Sequence, residues 1–297
     1  MFNQMLKDKV AHIETIIERY LPVEDNYNSI VKEAMNYSVN AGGKRLRPML
    51  MEEVYRLFGG QEELVEPFMV AQEMIHTYSL VHDDLPCMDN DEYRRGRKTT
   101  HVVYGEGMAV LAGDALLNYA FETASKAFDM TQDLCHVAEA IKILAKKAGI
   151  HGMIGGQTAD ILAEGYESEK VTKELLLYIH ENKTAALIQS SMMIGAILAG
   201  ATKEQITNIE KIGYNIGIAF QIQDDILDIE GSFEELGKPI GSDQKNDKVT
   251  YVTLMGLEKA KEDVAILSEE AVALLRGLPY QNTFLEELIL NLIHRKN

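Results

Sequence analysis

Aspartates occur in two dense groups, each in a stretch that also carries apolar residues. The first group follows HTYSLV and the second follows FQIQ, and in chain order the residues are Asp83, Asp84, Asp89, Asp224, Asp225 and Asp228. Carboxylates this close together repel one another, and burying them unpaired is costly, so a cation is expected beside them. Ligands that are all oxygen favour a hard ion, and Mg²⁺ is commonly held by one or two carboxylates together with substrate phosphates. The two groups therefore predict a magnesium–diphosphate site, although the first group alone is equally typical of a solvated acidic turn.

Basic residues beside glycines supply the complementary charge. Lys44 and Arg47 follow Gly42 and Gly43 at the predicted start of a helix, where positive side chains oppose the helix dipole. Glycines let the backbone approach a ligand closely, and an anion bound by backbone N–H groups and both cations would account for the charges. An exposed basic turn is the alternative. A second run of cations comes directly after the first aspartates, and it consists of Arg94, Arg95, Arg97 and Lys98.

Helices must position these groups, because the interval between Pro86 and Pro239 contains no proline and its apolar residues recur at spacings of three and four. On a helix, His76 and Asp83 share one stripe, and Pro86 ends that helix so that Asp89 can curl back toward Asp83. We predict about ten to eleven helices. Their ranges are 2–20, 27–39, 44–58, 62–84, 107–128, 133–148, 151–164, 172–200, 204–230, 251–276 and 281–295.

Composition and patterning limit the class of protein. No linker rich in Pro, Gly or Ser separates the helices, so we predict one all-α domain over residues 1–297. The net charge of −17 argues against nucleic acid and anionic membranes as partners. Two cysteines cannot build a disulfide framework, the N-terminal residues do not resemble a signal peptide, and no apolar run reaches the roughly 20 residues that span a bilayer. We expect a cytoplasmic protein without stable membrane association.

Six motifs stand in a characteristic order along the chain. They are GGKRLRP at 42–48, HTYSLVHDDLPCMD at 76–89, RRG at 94–96, KT at 183–184, FQIQDDILD at 220–228 and GKP at 237–239. In this order they resemble the trans-isoprenyl diphosphate synthase family, and most of all its bacterial farnesyl diphosphate synthases. The resemblance covers roughly residues 40 to 250. It implies an isoprenoid-synthase-type all-α bundle around a central cavity, usually assembled as a homodimer.

The resemblance also implies a role for each motif. The diphosphate of isopentenyl diphosphate is expected at Gly43, Lys44, Arg47, His76 and Arg95. The allylic diphosphate is expected at Arg94, Lys183, Thr184, Gln221 and Lys238, which are also the catalytic candidates. Lys248 is a further substrate-binding candidate because it lies in the segment 231–251, which could fold over bound phosphates. Three Mg²⁺ ions per active site are expected at the six aspartates, with Asp83, Asp89 and Asp224 as ligands.

Several of these positions also have a plain structural interpretation. His76 alone is more typical of a hydrogen-bonded core histidine, and Lys183 of a lysine whose stem packs on an apolar helix face. Gly213 and Gly217, ahead of the second acid group, indicate either close helix packing or the wall of a cavity. The segment 231–251 lacks periodicity, and we interpret it either as a lid over bound phosphates or as an inert surface loop.

The activity implied is a magnesium-dependent condensation of isopentenyl diphosphate with dimethylallyl and geranyl diphosphate, through an allylic carbocation, to farnesyl diphosphate. Tyr78 lies about 7.5 Å before Asp83 along the helix axis, where its ring could close the end of the pocket. In the family a bulky aromatic residue at this place goes with a fifteen-carbon product, so Tyr78 and its neighbour Ser79 are the candidates for limiting product length, and a core tyrosine is the alternative. The alternatives are a geranylgeranyl diphosphate synthase and, from another class, a non-catalytic acidic helical protein that binds metal. A terpene cyclase would not need the second diphosphate site.

Overall fold

The computed structural model describes residues 2–23, 25–61, 63–230 and 249–293, and within them the chain is almost entirely helical. The α-helices are α1 Phe2–Tyr20, α2 Ser29–Val39, α3 Leu46–Leu57, α4 Glu66–Asp83, α5 Thr100–Tyr104, α6 Glu106–Ser125, α7 Leu134–Ala148, α8 Met153–Glu164, α9 Lys173–Ile179, α10 Ala186–Leu198, α11 Lys203–Glu230, α12 Tyr251–Met255, α13 Leu257–Arg276 and α14 Thr283–Ile293. A π-helix, His180–Ala185, joins α9 to α10. Two short antiparallel strands, β1 Tyr93–Arg94 and β2 Arg97–Lys98, form a hairpin. The prediction of an all-α fold is confirmed.

Most helix boundaries lie within a few residues of the predicted ones, and the largest shift is at α4, predicted over 62–84 and observed over Glu66–Asp83. α1 has the predicted bounds, and α11 begins one residue before its predicted start. Gly105 and Gly256 both have φ of +83°, which no α-helix can continue, so α5 ends before α6 and α12 ends before α13. The separate helix α5, the division of the predicted helix 251–276, the π-helix and the hairpin were not predicted.

The described chain divides into two compact units. The first comprises Met1–Glu52 and Gln61–Ile141, and α4 lies at its centre, packed against α6 and also against α1 and α2. Every residue of α4 from Glu66 to Ile75 is buried, as expected for a helix surrounded by others. Gly113 of α6 allows close packing, because a Cβ there would lie 2.0 Å from Nε2 of His82 on α4.

The second unit comprises Glu53–Gly60 and Lys142–Asn297, and in it α11 packs against α10 and α13. All 13 residues of α10 are buried. A Cβ on Gly217 would lie 2.3 Å from Cβ of Ala185, and a Cβ on Gly213 would lie 2.9 Å from Cα of Gln189. These two glycines therefore serve close helix packing, which was one of the two interpretations of their spacing.

The prediction of a single domain over residues 1–297 stays a prediction. In the described part of the chain, no helix is both long and apolar enough to pass through a membrane.

Candidate active site

The first acid group sits where α4 ends and the chain turns back. The backbone N–H of Asp89 donates to the carbonyl of Asp83 at 2.8 Å, and the N–H of Asn90 donates to the carbonyl of Leu85 at 3.1 Å. Because Pro86 cannot donate a backbone hydrogen bond, the helix stops and these turn bonds take over. The predicted return of Asp89 toward Asp83 is confirmed at the level of the backbone, which brings both residues to one helix end.

Asp84 is joined to Arg94 of the hairpin. The Asp84 side chain is buried, and its Oδ1 accepts hydrogen bonds from Nε of Arg94 at 2.7 Å and from Nη2 at 2.6 Å. Burial raises the pKa of Asp84 above its usual range, and the guanidinium opposes that shift. Arg94 was predicted to bind the allylic diphosphate and Asp84 to bind metal, so the structure pairs two candidate site residues with each other.

The RRG motif is a tight hairpin turn. β1 and β2 are linked by Arg95 and Gly96 alone, whose φ angles are +53° and +75°. Positive φ at both central residues is the mark of a type I′ turn, which matches the twist of the flanking strands. Only glycine adopts such angles without cost, so Arg95 occupies an unfavourable conformation that places its side chain against another turn.

That other turn contains the two glycines of GGKRLRP. Gly42 and Gly43 have φ of +80° and +143°, and Nη1 of Arg95 donates to the carbonyl of Gly42. A Cβ on Gly43 would lie 2.7 Å from Nη1 of Arg95, so the guanidinium rests directly on the glycine. The prediction that α3 begins at Lys44 is wrong: it begins at Leu46, because Arg45 has φ of +45°, outside the right-handed helical region.

Arg47 and Arg95 form a cationic cluster beside His76. The Nε of Arg47 is buried, and among the described residues it has no hydrogen-bond partner. Burial lowers the pKa of His76 well below its usual value, and the charges of Arg47 and Arg95 lower it further, so the imidazole is neutral at neutral pH. Lys44 is exposed on the same turn. Positive charge with an unpaired buried donor is the arrangement that binds an anion.

Tyr78 lies on α4 between this cluster and the first acid group. Its side chain is only 6% exposed, and within the described residues its hydroxyl has no hydrogen-bond partner. Burial, with a smaller effect of the Asp83 charge, raises its pKa to about 12. The ring meets that of His82 edge to face at 5.9 Å between centroids. Ser79 turns toward its own helix, where Oγ donates to the carbonyl of His76 at 2.9 Å.

In the second unit, the π-helix presents Lys183 and Thr184. Nζ of Lys183 forms a 2.5 Å ion pair with Oδ2 of Asp160 on α8, and Oγ1 of Thr184 donates to Oε1 of Gln221 on α11. A π-helix shifts the facing of the residues after it, and such segments are frequent at functional sites. Thr184 and Gln221, predicted to serve the same reacting centre, are therefore adjacent. Asp160 was missed, although its place in the apolar helix MIGGQTADILAE was a visible signal.

The second acid group lies on α11, where all three aspartates are half-buried. Oδ2 of Asp225 accepts a hydrogen bond from the backbone N–H of Tyr251 at 2.8 Å, at the first residue of α12. A carboxylate at a helix N-terminus satisfies an otherwise unpaired N–H group. Asp225 therefore has a structural partner, as Asp84 has in the first group. Lys238 and Lys248 lie outside the described residues.

The donor atoms at each acid group are carboxylate oxygens, which is the chemistry of a hard divalent cation. Among the described residues, no three His, Cys, Asp or Glu side chains gather closely enough to hold a metal ion by themselves. Mg²⁺ does not require such a cage when phosphate oxygens complete its coordination. The residues present therefore fit magnesium bound jointly with a diphosphate.

The chain is similar to known proteins in both sequence and structure. A family model described as polyprenyl synthetase matches residues 28–273. The farnesyl diphosphate synthase of Geobacillus stearothermophilus is 45% identical over 93% of this chain and 91% of its own. The chloroplastic geranylgeranyl pyrophosphate synthase of Capsicum annuum is 45% identical over 93% of this chain and 73% of its own. The solved structure of a Helicobacter pylori geranyltransferase complexed with magnesium and isoprenyl diphosphate is 34% identical, with a TM-score of 0.82 over 98% of this chain and 95% of that one.

Proposed function

Because this chain belongs to the polyprenyl synthetase family, we propose that it is a magnesium-dependent synthase that makes farnesyl diphosphate from isopentenyl diphosphate and a shorter allylic diphosphate. The family resemblance given by the motifs is confirmed, and the chain is a prenyltransferase. The farnesyl product is the proposal. The observation that carries it is the buried ring of Tyr78, less than two helical turns before Asp83.

The homoallylic substrate binds at the cationic cluster of the first unit. Arg95 lies on Gly43, the buried Nε of Arg47 has no hydrogen-bond partner within the described residues, and the uncharged His76 can donate one N–H without adding charge. A diphosphate would take the unpaired donor and neutralise two guanidiniums. Backbone N–H groups of the glycine turn are placed to add to that binding.

The aspartates hold magnesium on the allylic diphosphate. Asp83 and Asp89 in the first unit, and Asp224 in the second, are the proposed ligands, and three ions per site is the proposed count. When bound, Mg²⁺ neutralises the diphosphate as it leaves. Asp84 holds Arg94 in place, and Asp225 holds the start of α12. Both aspartates are therefore proposed as structural supports of the metal ligands. That the two acid groups serve one diphosphate across a central cavity stays a prediction from the sequence.

Residues of the second unit stabilise the allylic cation. The Thr184 hydroxyl, bonded to Gln221, provides an oriented dipole without a full charge, which suits a short-lived cation. Lys183, balanced by Asp160, is proposed to bind the allylic diphosphate. That Arg94 of the first unit binds the same diphosphate stays a prediction from the sequence. Lys238 and Lys248 are proposed to join them. The proton lost after carbon–carbon bond formation goes to the released pyrophosphate, so we expect no dedicated protein base.

The Tyr78→Ala variant should make a product at least one isoprene unit longer. Removing the ring leaves space of about its own volume at the end of the chain-binding region, and a core of this kind collapses only in part. The measurement is chromatography of the dephosphorylated products. Tyr78→Phe is the matched control: it keeps the ring and removes a hydroxyl that has no partner among the described residues, so its product should not change. An unchanged product from Tyr78→Ala would reject the role.

A homodimer formed through α5 and α6 is proposed as the assembly. Val102, Val103, Val110 and Leu111 are 39%, 44%, 41% and 54% exposed. Neighbouring apolar side chains left exposed on one segment are typical of a subunit interface. We propose no nucleic-acid or stable membrane partner, on the net charge of −17, and a cytoplasmic location, on two cysteines that form no disulfide.

Leu111→Glu should shift the protein from dimer to monomer, because two copies of the new charge would face each other across a two-fold axis. Sedimentation velocity should show a species of about half the mass. Ile266→Glu on α13 is the matched control, since Ile266 is an exposed apolar residue of another helix. A monomeric wild type, or a Leu111→Glu variant that remains dimeric, would contradict the proposed interface.

A geranylgeranyl product is the second candidate. It is considered because a farnesyl diphosphate synthase and a geranylgeranyl pyrophosphate synthase are each 45% identical to this chain. The experiment is the same for both: purified protein, dimethylallyl and isopentenyl diphosphate and Mg²⁺, followed by sizing of the product. Farnesyl diphosphate as the main product supports the proposal, and geranylgeranyl diphosphate supports the second candidate. Metal binding without any condensation would support the non-catalytic alternative instead.

A further inference from the structure

Arg45, to which no role was assigned from the motifs, is the least exposed charged residue among the described residues of the first unit. Its side chain is fully buried, and the residue lies directly between the glycine turn and α3. Nε and Nη2 donate to the two carboxylate oxygens of Glu14 on α1 at 2.8 and 3.1 Å. Nη1 donates to Glu73 on α4 at 2.7 Å, and Nη2 also donates to the carbonyl of Val39 at 2.7 Å. A guanidinium so fully bonded fixes the backbone that carries it.

The backbone at Arg45 needs such fixing. Its φ of +45° is unfavourable for a residue with a side chain, and it follows two glycines that also have positive φ. A turn of this composition has many alternative conformations when nothing holds it. The bonds to α1, α4 and the end of α2 select one of them. Arg45 thereby sets the direction in which Lys44 and Arg47 leave the turn.

The pairing of Arg45 with Glu73 also affects the charges near the substrate site. Glu73 lies on α4 one turn before His76, and its charge acts on Arg47 and Arg95 as well as on Arg45. If Glu73 were not paired with Arg45, it would be an available internal partner for the two guanidiniums that face the substrate. The pairing keeps this buried carboxylate occupied. Arg47 and Arg95 then remain available for an external anion.

We infer that Arg45 is a positioning residue for the homoallylic diphosphate, acting through the glycine turn and by occupying Glu14 and Glu73. The inference rests on the proposed function, because it assigns a cause to the geometry of that subsite. A merely structural role is the rival: Arg45 would then tie α1 to α4 and affect stability alone. The two roles predict different results: a positioning role raises KM for isopentenyl diphosphate, whereas a merely structural role lowers Tm alone.

The test compares Arg45→Lys and Glu14→Gln with a matched control, Arg19→Lys. Lysine keeps the charge of Arg45. Its single ammonium group cannot bond both carboxylate oxygens of Glu14 and also reach Glu73 and the carbonyl of Val39. Arg19 pairs with buried Glu66 at 2.7 Å, so it too joins α1 to α4, but far from the turn. Steady-state KM for each substrate, kcat and the thermal midpoint Tm are measured for every variant.

Arg45→Lys and Glu14→Gln should raise KM for isopentenyl diphosphate about tenfold, while kcat and KM for the allylic substrate change less than about twofold. Arg19→Lys should lower Tm and leave both KM values unchanged. Because Glu14 is partly exposed, Glu14→Gln keeps the inference testable even if Arg45→Lys does not fold. Unchanged KM values in folded variants, or equal changes in the constants of both substrates, would overturn it. A wild type without any condensation would instead reject the proposed function.

Discussion

Replacing Asp83 with asparagine should lower kcat/KM about a thousandfold, which corresponds to about 4 kcal/mol of lost transition-state stabilisation. Asp83 is the last residue of α4, and its carbonyl holds the backbone of Asp89 at 2.8 Å. Asparagine preserves the size of the side chain and leaves that backbone bond intact. It removes the negative charge that a hard divalent cation requires. The loss should therefore arise from metal binding and not from misfolding.

The measurement is kcat/KM for the allylic substrate at several Mg²⁺ concentrations, with circular dichroism to show that the variant is folded. Asp91→Asn is the matched control, because Asp91 lies in the same acidic stretch, is exposed, and contacts Arg94 only at 3.7 Å. It should keep activity within about threefold of wild type. Comparable losses in both variants would mean that the net charge of the stretch matters and the position of Asp83 does not.

Replacing Gly156 with alanine should lower kcat about a hundredfold, because it pushes α8 against the π-helix. A Cβ on Gly156 would lie 2.1 Å from the backbone N of Lys183 and 2.6 Å from the carbonyl carbon of Asn182. These are backbone atoms that no rotamer change can move, so α8 or the π-helix must shift. Overpacking of this kind costs about 1–3 kcal/mol of stability. Displacing Lys183 and Thr184 by about 1 Å is enough for the kinetic loss.

Gly165→Ala tests whether the loss comes from the collision or from glycine replacement in general. Gly165 follows the same helix, α8, and the nearest atom to its added Cβ would be the carbonyl oxygen of Leu162 at 3.6 Å, an ordinary contact. That variant should match wild type in kcat and Tm. If Gly156→Ala lowers Tm but leaves kcat unchanged, the π-helix does not position catalytic groups.

The long helices could be predicted from the sequence because their signals are local. Apolar spacing and the position of Pro86 predicted a helix over 62–84, and α4 runs from Glu66 to Asp83, so the helix and its approximate end were found and the fold class followed. The π-helix could not be found in this way. In the structure it lies against Gly156 of α8, a tertiary approach between residues far apart in the chain that apolar spacing does not show. Apolar periodicity does not detect the one-residue insertion that makes a π-helix.

The candidate site residues were found by motif, whereas their partners were not. Asp84 and Arg94 were assigned separate ligands, and the structure joins them. Arg45 was overlooked between two basic residues with assigned roles, because no local pattern shows that Glu14 and Glu73 converge on it. Ion pairs between distant helices depend on packing, so a motif in one sequence indicates candidate ligand-binding groups but not the groups that hold them in place.

The most direct test of the proposed function is one incubation of the purified wild type with dimethylallyl diphosphate, isopentenyl diphosphate and Mg²⁺, followed by chromatography of the dephosphorylated products. We predict farnesol as the main product, together with complete loss of turnover when the metal is chelated. Absence of any condensation product from folded protein, or condensation that persists in excess chelator, would contradict it.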